Sequence, residues 1–162
     1  MESKELKSTL KAICILNNAE KNIKGTVLFL EENEFTTIKI TFSGLPEGKH
    51  GIHIHEFGNL SDGCNSAGGH YNPFNKDHGG PEDNERHVGD LGNLTADKNG
   101  IANLEIKDSL IKLSGPYSVI GRSVVCHANE DDLGKGNHKD SKTTGNSGAR
   151  IACGIIGTTI KF

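Results

Sequence analysis

The clearest pattern along the chain is an alternation of hydrophobic and polar residues with a period of two. In residues 35–45, Ile38, Ile40 and Phe42 alternate with polar residues. Successive side chains of a β-strand point to opposite faces, so these three residues would share the buried face of one strand. Farther along, Asn99-Gly100 predicts a tight hairpin turn, and alternating apolar residues follow it at 102, 104 and 106.

Runs of this kind predict about eight short strands and no long helix. They cover residues 10–17, 25–32, 35–45, 51–57, 96–106, 110–114, 118–127 and 150–161. The expected fold class is all-β, an eight-stranded antiparallel Greek-key β-sandwich or barrel. Two polar stretches, 58–90 and 129–149, interrupt the spacing and are rich in Gly, Asn, Asp and His. Loops this long are uncommon in a compact domain, and we expect both to be functional.

Composition and charge narrow the function classes. The 162 residues fit one domain, which we place at residues 10–162, with residues 1–9 as an N-terminal extension of no assigned role. The net charge of −3 argues against nucleic acid or an anionic membrane as a partner. The charged N-terminus resembles no signal peptide and no apolar run reaches transmembrane length, which favours a cytoplasmic location. In that compartment Cys14 and Cys126, both in apolar runs, are expected to be reduced and buried.

The first candidate for chemistry is the stretch G-I-H-I-H-E-F-G at residues 51–58. On a strand, His53 and His55 share one face, whereas Ile52 and Ile54 share the other. Two adjacent imidazoles can bind a metal ion together, but they can equally be ordinary polar residues of a half-exposed strand. The histidines farther along the chain decide between these interpretations.

The first long loop and its borders carry further histidines and an aspartate. Three imidazoles and one carboxylate form a closed four-coordinate shell of the kind that structural zinc accepts, and His70, His78, His87 and Asp90 supply it. The remaining imidazoles of His53, His55 and His127 suit a second metal, for which copper is favoured because it accepts all-imidazole, distorted geometries. Since an imidazole has two nitrogens, one ring could serve both metals.

Six stretches, in this order, resemble the copper/zinc superoxide dismutase family in its cytosolic form, over about residues 10–161. They are G-I-H-I-H-E-F-G (51–58), G-G-H-Y-N-P (68–73), H-G-G-P-E-D-N-E-R-H-V-G-D-L-G-N-L-T-A-D (78–97), G-R-S-V-V-C-H (121–127), D-D-L-G-K-G (131–136) and G-N-S-G-A-R-I-A-C-G-I-I-G (145–157).

The resemblance implies one copper and one zinc ion per subunit and assigns their ligands. Copper would be held by His53, His55, His70 and His127, and zinc by His70, His78, His87 and Asp90, with the His70 ring bridging the two metals. Asp131 would link His53 to His78 from outside the ligand set, and Cys64 and Cys153 would form a disulfide.

The implied activity is the conversion of two superoxide anions and two protons into dioxygen and hydrogen peroxide, an antioxidant function. His70 would carry a proton, Arg150 would dock the anion, and Thr144 with Lys142 or Lys139 would line the approach. The loop at 137–145 departs from the family pattern, which often has an acidic pair followed by Ser-Thr-Lys-Thr-Gly. Here Lys139 replaces an acid and Thr143 replaces the lysine, so the assignment of steering residues is weaker than that of the metal ligands.

The resemblance also implies a homodimer and a copper chaperone for metal loading. Subunit contacts would involve Ile13 and Ile15, the loop near Gly58, and Ile120 and Ile156 or their neighbours. Two other functions fit the same fold: a metal-delivery protein, and a structural zinc sandwich without redox activity. The first often lacks copper ligands or the arginine, and the second has no need of His53, His55 and His127 together, so the dismutase is favoured.

Overall fold

The structure is a computed structural model and describes residues 9–162. Residues 1–8 of the predicted N-terminal extension lie outside the described part. The described residues form nine strands: β1 (Leu10–Asn18), β2 (Ile23–Glu32), β3 (Phe35–Ser43), β4 (Gly48–His55), β5 (Ser61–Cys64), β6 (Asp90–Ala96), β7 (Ala102–Asp108), β8 (Ser123–His127) and β9 (Arg150–Thr159). One turn of 3-10 helix, Asn65–Ala67, follows β5.

Eight of these strands form one antiparallel sheet in the order β6-β4-β8-β9-β1-β2-β3-β7. The sheet curls into a nearly closed barrel, which confirms the predicted all-β class. The predicted turn at Asn99-Gly100 is also present, closed by a bond from the Asp97 amide to the Ile101 carbonyl oxygen (2.9 Å). Within residues 9–162 the two strands that flank this turn do not pair with each other, because β6 pairs with β4 and β7 pairs with β3. The barrel therefore stays open along one line.

The period-two pattern marks the side chains that fill the barrel. Ile38, Ile40 and Phe42 of β3 are buried, as predicted. Ala12, Cys14 and Leu16 of β1 alternate in the same way, so every second residue of the strand faces the core. Cys14 and Cys126 are buried free thiols, and burial raises the pKa of each to about 12, which leaves both as unreactive core residues.

Two of the predicted strand positions were wrong. Residues 110–114 form no strand, and β8 begins only at Ser123 rather than at residue 118. Conversely, β6 begins at Asp90, inside a region that lacks a period-two pattern. Its alternation is interrupted at Gly92, which has φ +83°, and the pairing of β6 with β4 shifts register between Gly51 and His53. A bulge of this kind removes the period on which the prediction depended.

The two long loops are present where the polar stretches were found, between β4 and β6 and between β8 and β9. A disulfide between Cys64 and Cys153, 89 positions apart, ties the first loop to β9. No helix within residues 9–162 is long and apolar enough to cross a membrane.

Candidate metal centre

Two neighbouring strands and the first loop bring the histidines together. His53 and His55 lie near the end of β4, and β8, which pairs with β4, ends at His127. An isolated bridge between His55 and His70 fixes the first loop beside β4. The rings of His53 and His70 stack with their centroids 3.9 Å apart. The predicted residues therefore converge because strand pairing and one loop bridge place them at the same end of the barrel.

One group consists of His53, His55, His70 and His127, whose ligand atoms lie within 4.8 Å of one another. In three of these rings the other nitrogen donates a hydrogen bond: His53 Nε2 to Asp131 Oδ2 (2.6 Å), His55 Nδ1 to Gly68 O (2.9 Å) and His127 Nδ1 to Gly148 O (3.1 Å). A neutral imidazole has one N–H, so the remaining nitrogens are left as lone-pair acceptors.

These lone pairs fit a metal ion. His55 Nε2 and His127 Nε2 face each other at 3.3 Å, although neither can donate to the other. Among the described residues, His53 Nδ1 and His70 Nε2 are buried and have no hydrogen-bond partner. A buried nitrogen without a donor is unfavourable, and a cation bound among these four acceptor nitrogens would satisfy all of them, including the two without a partner among the described residues.

A second group is formed by three Nδ1 atoms and one carboxylate oxygen. Asp90 Oδ1 lies 3.0 Å from His70 Nδ1, 2.9 Å from His78 Nδ1 and 3.3 Å from His87 Nδ1. The Nδ1 atoms of His70 and His87 are 3.2 Å apart. Ligands about 2.0 Å from a tetrahedral zinc ion are about 3.3 Å from one another. These separations are close to four of the six edges of such a tetrahedron.

A different fourth member is also geometrically close to this group. Ligand atoms of His53, His70, His78 and Asp90 lie within 4.8 Å of one another. However, His53 Nε2 already donates to Asp131 and its Nδ1 belongs to the first group. His87 Nδ1, by contrast, approaches both His70 and Asp90. His87 is therefore the better fourth member of the second group.

The Asp131 carboxylate joins the two groups. Its Oδ2 accepts from His53 Nε2 (2.6 Å) and its Oδ1 accepts from His78 Nε2 (2.7 Å), and all three side chains are fully buried. Gly145, with φ +71°, packs directly on this contact. A Cβ at that position would lie 2.0 Å from Asp131 Oδ1 and 2.5 Å from His78 Nε2, so only glycine leaves the contact intact.

The charges of the site divide the histidines into two classes. Burial lowers the pKa of His78, but hydrogen bonds to Asp131 and Asp90 outweigh it and raise that pKa to about 9. Burial would raise the pKa of Asp90, yet bonds from His70, His78 and His87 hold it far below its usual range. Burial, reinforced by neighbouring histidines, lowers the pKa of His53 and His55. In metal-free protein a proton on His78 therefore offsets the charge of Asp90.

His127 and Arg150 connect the first group to the protein surface. Burial lowers the pKa of His127 to about 4, and the positive charges of His70 and Arg150 add to this effect. Arg150 is half-buried at the start of β9, and its Nη1 donates to the carbonyl oxygen of Cys64 (2.9 Å). Burial lowers its pKa from the ordinary arginine value. The disulfide therefore also fixes the guanidinium, because Cys64 supplies both contacts.

The channel residues proposed from the sequence lie in the second loop. Lys139, Lys142 and Thr144 are exposed. Among the described residues neither lysine ammonium has a carboxylate within 4.0 Å, so both charges face solvent unpaired. The carbonyl of Lys142 accepts from the His78 amide (2.9 Å), which places this part of the loop beside the second group.

Sequence reasoning missed the backbone acceptors and one amide side chain. The carbonyl oxygens of Gly68 and Gly148 orient His55 and His127, but a carbonyl leaves no trace in the residue type. Asn93 holds the main chain of residue 131 through two hydrogen bonds, and one asparagine among many polar residues gives no signal. His50 is buried and bonded to the carbonyl oxygens of His127 and Pro46, so it is a packed residue outside both groups.

Known proteins resemble the chain over nearly its whole length. A family model described as copper/zinc superoxide dismutase (SODC) matches residues 23–156. A "Superoxide dismutase [Cu-Zn]" of Yarrowia lipolytica is 51% identical over 153 residues, which cover 93% of this chain and 99% of that protein. "Superoxide dismutase [Cu-Zn] 2" of Mesembryanthemum crystallinum is 50% identical over 149 residues, 91% of this chain and 95% of that protein.

Proposed function

The chain belongs to the copper/zinc superoxide dismutase family, and from this premise we propose which residues perform the dismutation. The activity is an oxidoreductase reaction in which two superoxide anions and two protons give dioxygen and hydrogen peroxide. The cofactors are copper and zinc, which fit the two groups of converging donor atoms.

The four lone-pair nitrogens of the first group are the copper ligands: His53 Nδ1, His55 Nε2, His70 Nε2 and His127 Nε2. The second group, His70 Nδ1, His78 Nδ1, His87 Nδ1 and Asp90 Oδ1, is the zinc site. His70 offers one nitrogen to each group, so its ring would hold both metals. Carbonyl and carboxylate acceptors behind the rings hold each in the tautomer that binding needs.

When bound, copper supplies a centre that accepts an electron from one superoxide and donates one to the next, whereas zinc has no accessible redox change. The chain supplies the proton and the orientation. His70 Nε2 is the atom at which we place proton uptake and return, because it is buried, lacks a partner among the described residues, and faces the copper set. Asp131 keeps the His53 and His78 rings oriented while that proton moves.

Arg150 binds the substrate anion. Its charge acts on His127, and its Nη1 is anchored to Cys64, so the rest of the planar donor fork is positioned beside the copper ligands. The exposed ammonium groups of Lys139 and Lys142 attract the superoxide anion toward the site electrostatically, and Thr144 lines the same approach. Added salt weakens this attraction and should slow the reaction.

The observation that carries this assignment is the convergence of four acceptor nitrogens with two of them buried and unpaired. The test is superoxide decay after pulse radiolysis, on metal-free protein reconstituted with zinc alone or with zinc and copper. We expect activity only with copper, and we expect His127→Ala to lose both copper and activity. His138→Ala, which removes an exposed loop histidine, is the matched control. Full activity and copper content in His127→Ala would contradict the assignment.

We also propose that the chain forms a homodimer through an apolar surface made by Ile15, Phe57 and Ile155. These side chains are 59%, 51% and 46% exposed. Ile155 lies beside Gly58, where an added Cβ would be 3.4 Å from Ile155 Cγ2 and 1.8 Å from Gly121 O. Ile156, predicted as a contact, is buried, and its neighbour Ile155 takes its place. Sedimentation equilibrium of Phe57→Glu against the native chain measures this, and an unchanged dimer would contradict it.

Loading by a copper chaperone in the cytoplasm completes the proposal. His53 and His55 are almost fully buried, so copper must pass the surrounding loops to reach them. The free, buried thiols of Cys14 and Cys126 are expected in a reducing compartment, whereas the Cys64–Cys153 disulfide would be unusual there. Copper content of the chain after expression with and without a chaperone tests the partner, and a fluorescently tagged chain tests the location.

A further inference from the structure

The Asp131 carboxylate, which contacts both metal sets, is held in place through its own main chain. The Asp131 N–H donates to Asn93 Oδ1 (2.7 Å), and Asn93 Nδ2 donates to the Asp131 carbonyl oxygen (2.9 Å). Only this orientation of the Asn93 amide gives both main-chain groups a partner, so the two bonds define it. One side chain thus satisfies the donor and the acceptor of residue 131.

Asn93 belongs to the barrel, whereas Asp131 belongs to the second long loop. Asn93 lies on β6 and pairs with Gly51 of β4. The other bonds near Asp131 mostly stay inside the loop, such as Leu133 N–H to Asp131 Oδ1 (2.8 Å) and Asp132 N–H to Gly145 O (2.9 Å). Two further contacts tie this segment to β4, Gly51 N–H to Asn129 O (2.9 Å) and His53 Nε2 to Asp131 Oδ2 (2.6 Å). The main-chain N–H and C=O of residue 131 itself are held by Asn93.

The same strand carries Asp90, three residues before Asn93. Both ring nitrogens of His78 hydrogen-bond to carboxylates, Nδ1 to Asp90 Oδ1 (2.9 Å) and Nε2 to Asp131 Oδ1 (2.7 Å). β6 thus positions both carboxylates, the first through its own main chain and the second through the Asn93 amide. A shift of Asp131 would also reach His53, since His53 Nε2 donates to the other carboxylate oxygen (2.6 Å).

We propose that Asn93 is a positioning residue for both metal sets, which acts through the Asp131 carboxylate. This inference rests on the ligand assignment given above. Partners that orient metal ligands from outside typically contribute about 10- to 100-fold to metal affinity. Asn93 acts one step farther away, so we expect its removal to weaken zinc binding by roughly tenfold.

A link between strand and loop could instead affect only the stability of the fold. In that case Asn93→Ala would lower zinc affinity by the same factor whether or not the Asp131 carboxylate is present. If Asn93 acts through Asp131, the loss disappears once the carboxylate is removed. A double-mutant cycle separates the two roles.

The experiment measures zinc affinity of copper-free protein by competition with a chromophoric chelator for the native chain, Asn93→Ala, Asp131→Ala and the double variant. Thr95→Ala, an exposed residue two positions along β6, is the matched control. We expect the zinc affinity of Asn93→Ala to be roughly tenfold lower than that of the native chain. The affinity of Asp131→Ala should be lower still, and the double variant should bind zinc as weakly as Asp131→Ala. Equal losses in both backgrounds, or native affinity in Asn93→Ala, would overturn the inference.

A second variant and a second readout protect the test from a folding failure. Asn93→Asp keeps the acceptor for the Asp131 N–H but replaces the donor, and it should lose zinc affinity with the fold retained. In copper-loaded protein, the electron paramagnetic resonance spectrum should change in Asn93→Asp and not in Thr95→Ala, because His53 is coupled to Asp131. An unchanged spectrum together with native zinc affinity would refute the role. Dismutase activity of the native chain tests the proposed function separately.

Discussion

Replacing Gly145 with alanine should disrupt the centre without replacing any of the proposed ligands. Residue 145 has φ +71°, a conformation that costs a residue with a Cβ about 1–2 kcal/mol. The new Cβ would lie 2.0 Å from Asp131 Oδ1 and 2.5 Å from His78 Nε2. The pinned carboxylate must move and lose at least its bond to His78, and a hydrogen bond to a charged group contributes about 1.5–3 kcal/mol. The expected loss of unfolding free energy is about 2.5–5 kcal/mol.

Gly115→Ala provides the control that separates the two contributions. Gly115 has φ +80° and nothing within 4 Å of the position a Cβ would take, so it has only the backbone cost of about 1–2 kcal/mol. Urea unfolding of metal-free protein, at one fixed protein concentration, measures both variants. Chelator competition should show weaker zinc binding in Gly145→Ala alone. Equal destabilisation of the two variants, with native zinc affinity in both, would refute the steric reasoning.

Three further outcomes are expected. Arg150→Ala should lower kcat/KM by about tenfold at native metal content, with Arg150→Lys in between, and a native rate in a stopped-flow salt series would contradict the docking role. Zinc uptake by metal-free protein should release about one proton at pH 7.5, because the His78 pKa of about 9 keeps that ring protonated there. An indicator dye should show that fewer protons are released above pH 9 and that fewer are released by Asp131→Asn. A number of released protons that does not change with pH would argue against His78 as their source. Removing the disulfide with Cys64→Ala should cost about 4–5 kcal/mol of unfolding free energy on the loop-entropy model, and a loss below about 1 kcal/mol in urea would exclude that estimate.

The alternation of hydrophobic and polar residues predicted the strands in which every second residue is buried. It predicted a strand wrongly where the backbone bonds to side chains instead of to a neighbouring strand. Residues 110–114 contain Ile111 and Leu113, both buried, so they have the hydrophobicity of a strand. Their amides, however, bond to carboxylates: Ile111 N–H to Asp108, and Leu113 N–H to Glu31. Nothing in the local pattern reveals that a distant carboxylate takes the place of a neighbouring strand. The spacing of hydrophobic residues indicates which side chains are buried, but it does not indicate which groups accept the backbone hydrogen bonds.

The clustering of the candidate metal ligands was predictable because their chemistry is visible in the residue type. Several imidazoles and a carboxylate in one long polar loop are typical of a metal site, and the structure brings the Nδ1 atoms of His70, His78 and His87 within 3.3 Å of Asp90 Oδ1. Their supporting contacts were not predictable. Asn93 and the Gly148 carbonyl act through geometry that forms only when residues far apart in sequence meet.

The unpaired line between β6 and β7 has a consequence for self-association. Two strand edges lie side by side there without a ladder, and such edges can recruit a strand from another molecule and so begin fibril growth. The cleft between them contains Lys49, Glu82 and Lys107, whose charges an incoming apolar strand would have to strip of water. Charged side chains at a strand edge oppose pairing with another molecule, so we expect neutralisation of these three residues to favour strand-mediated assembly.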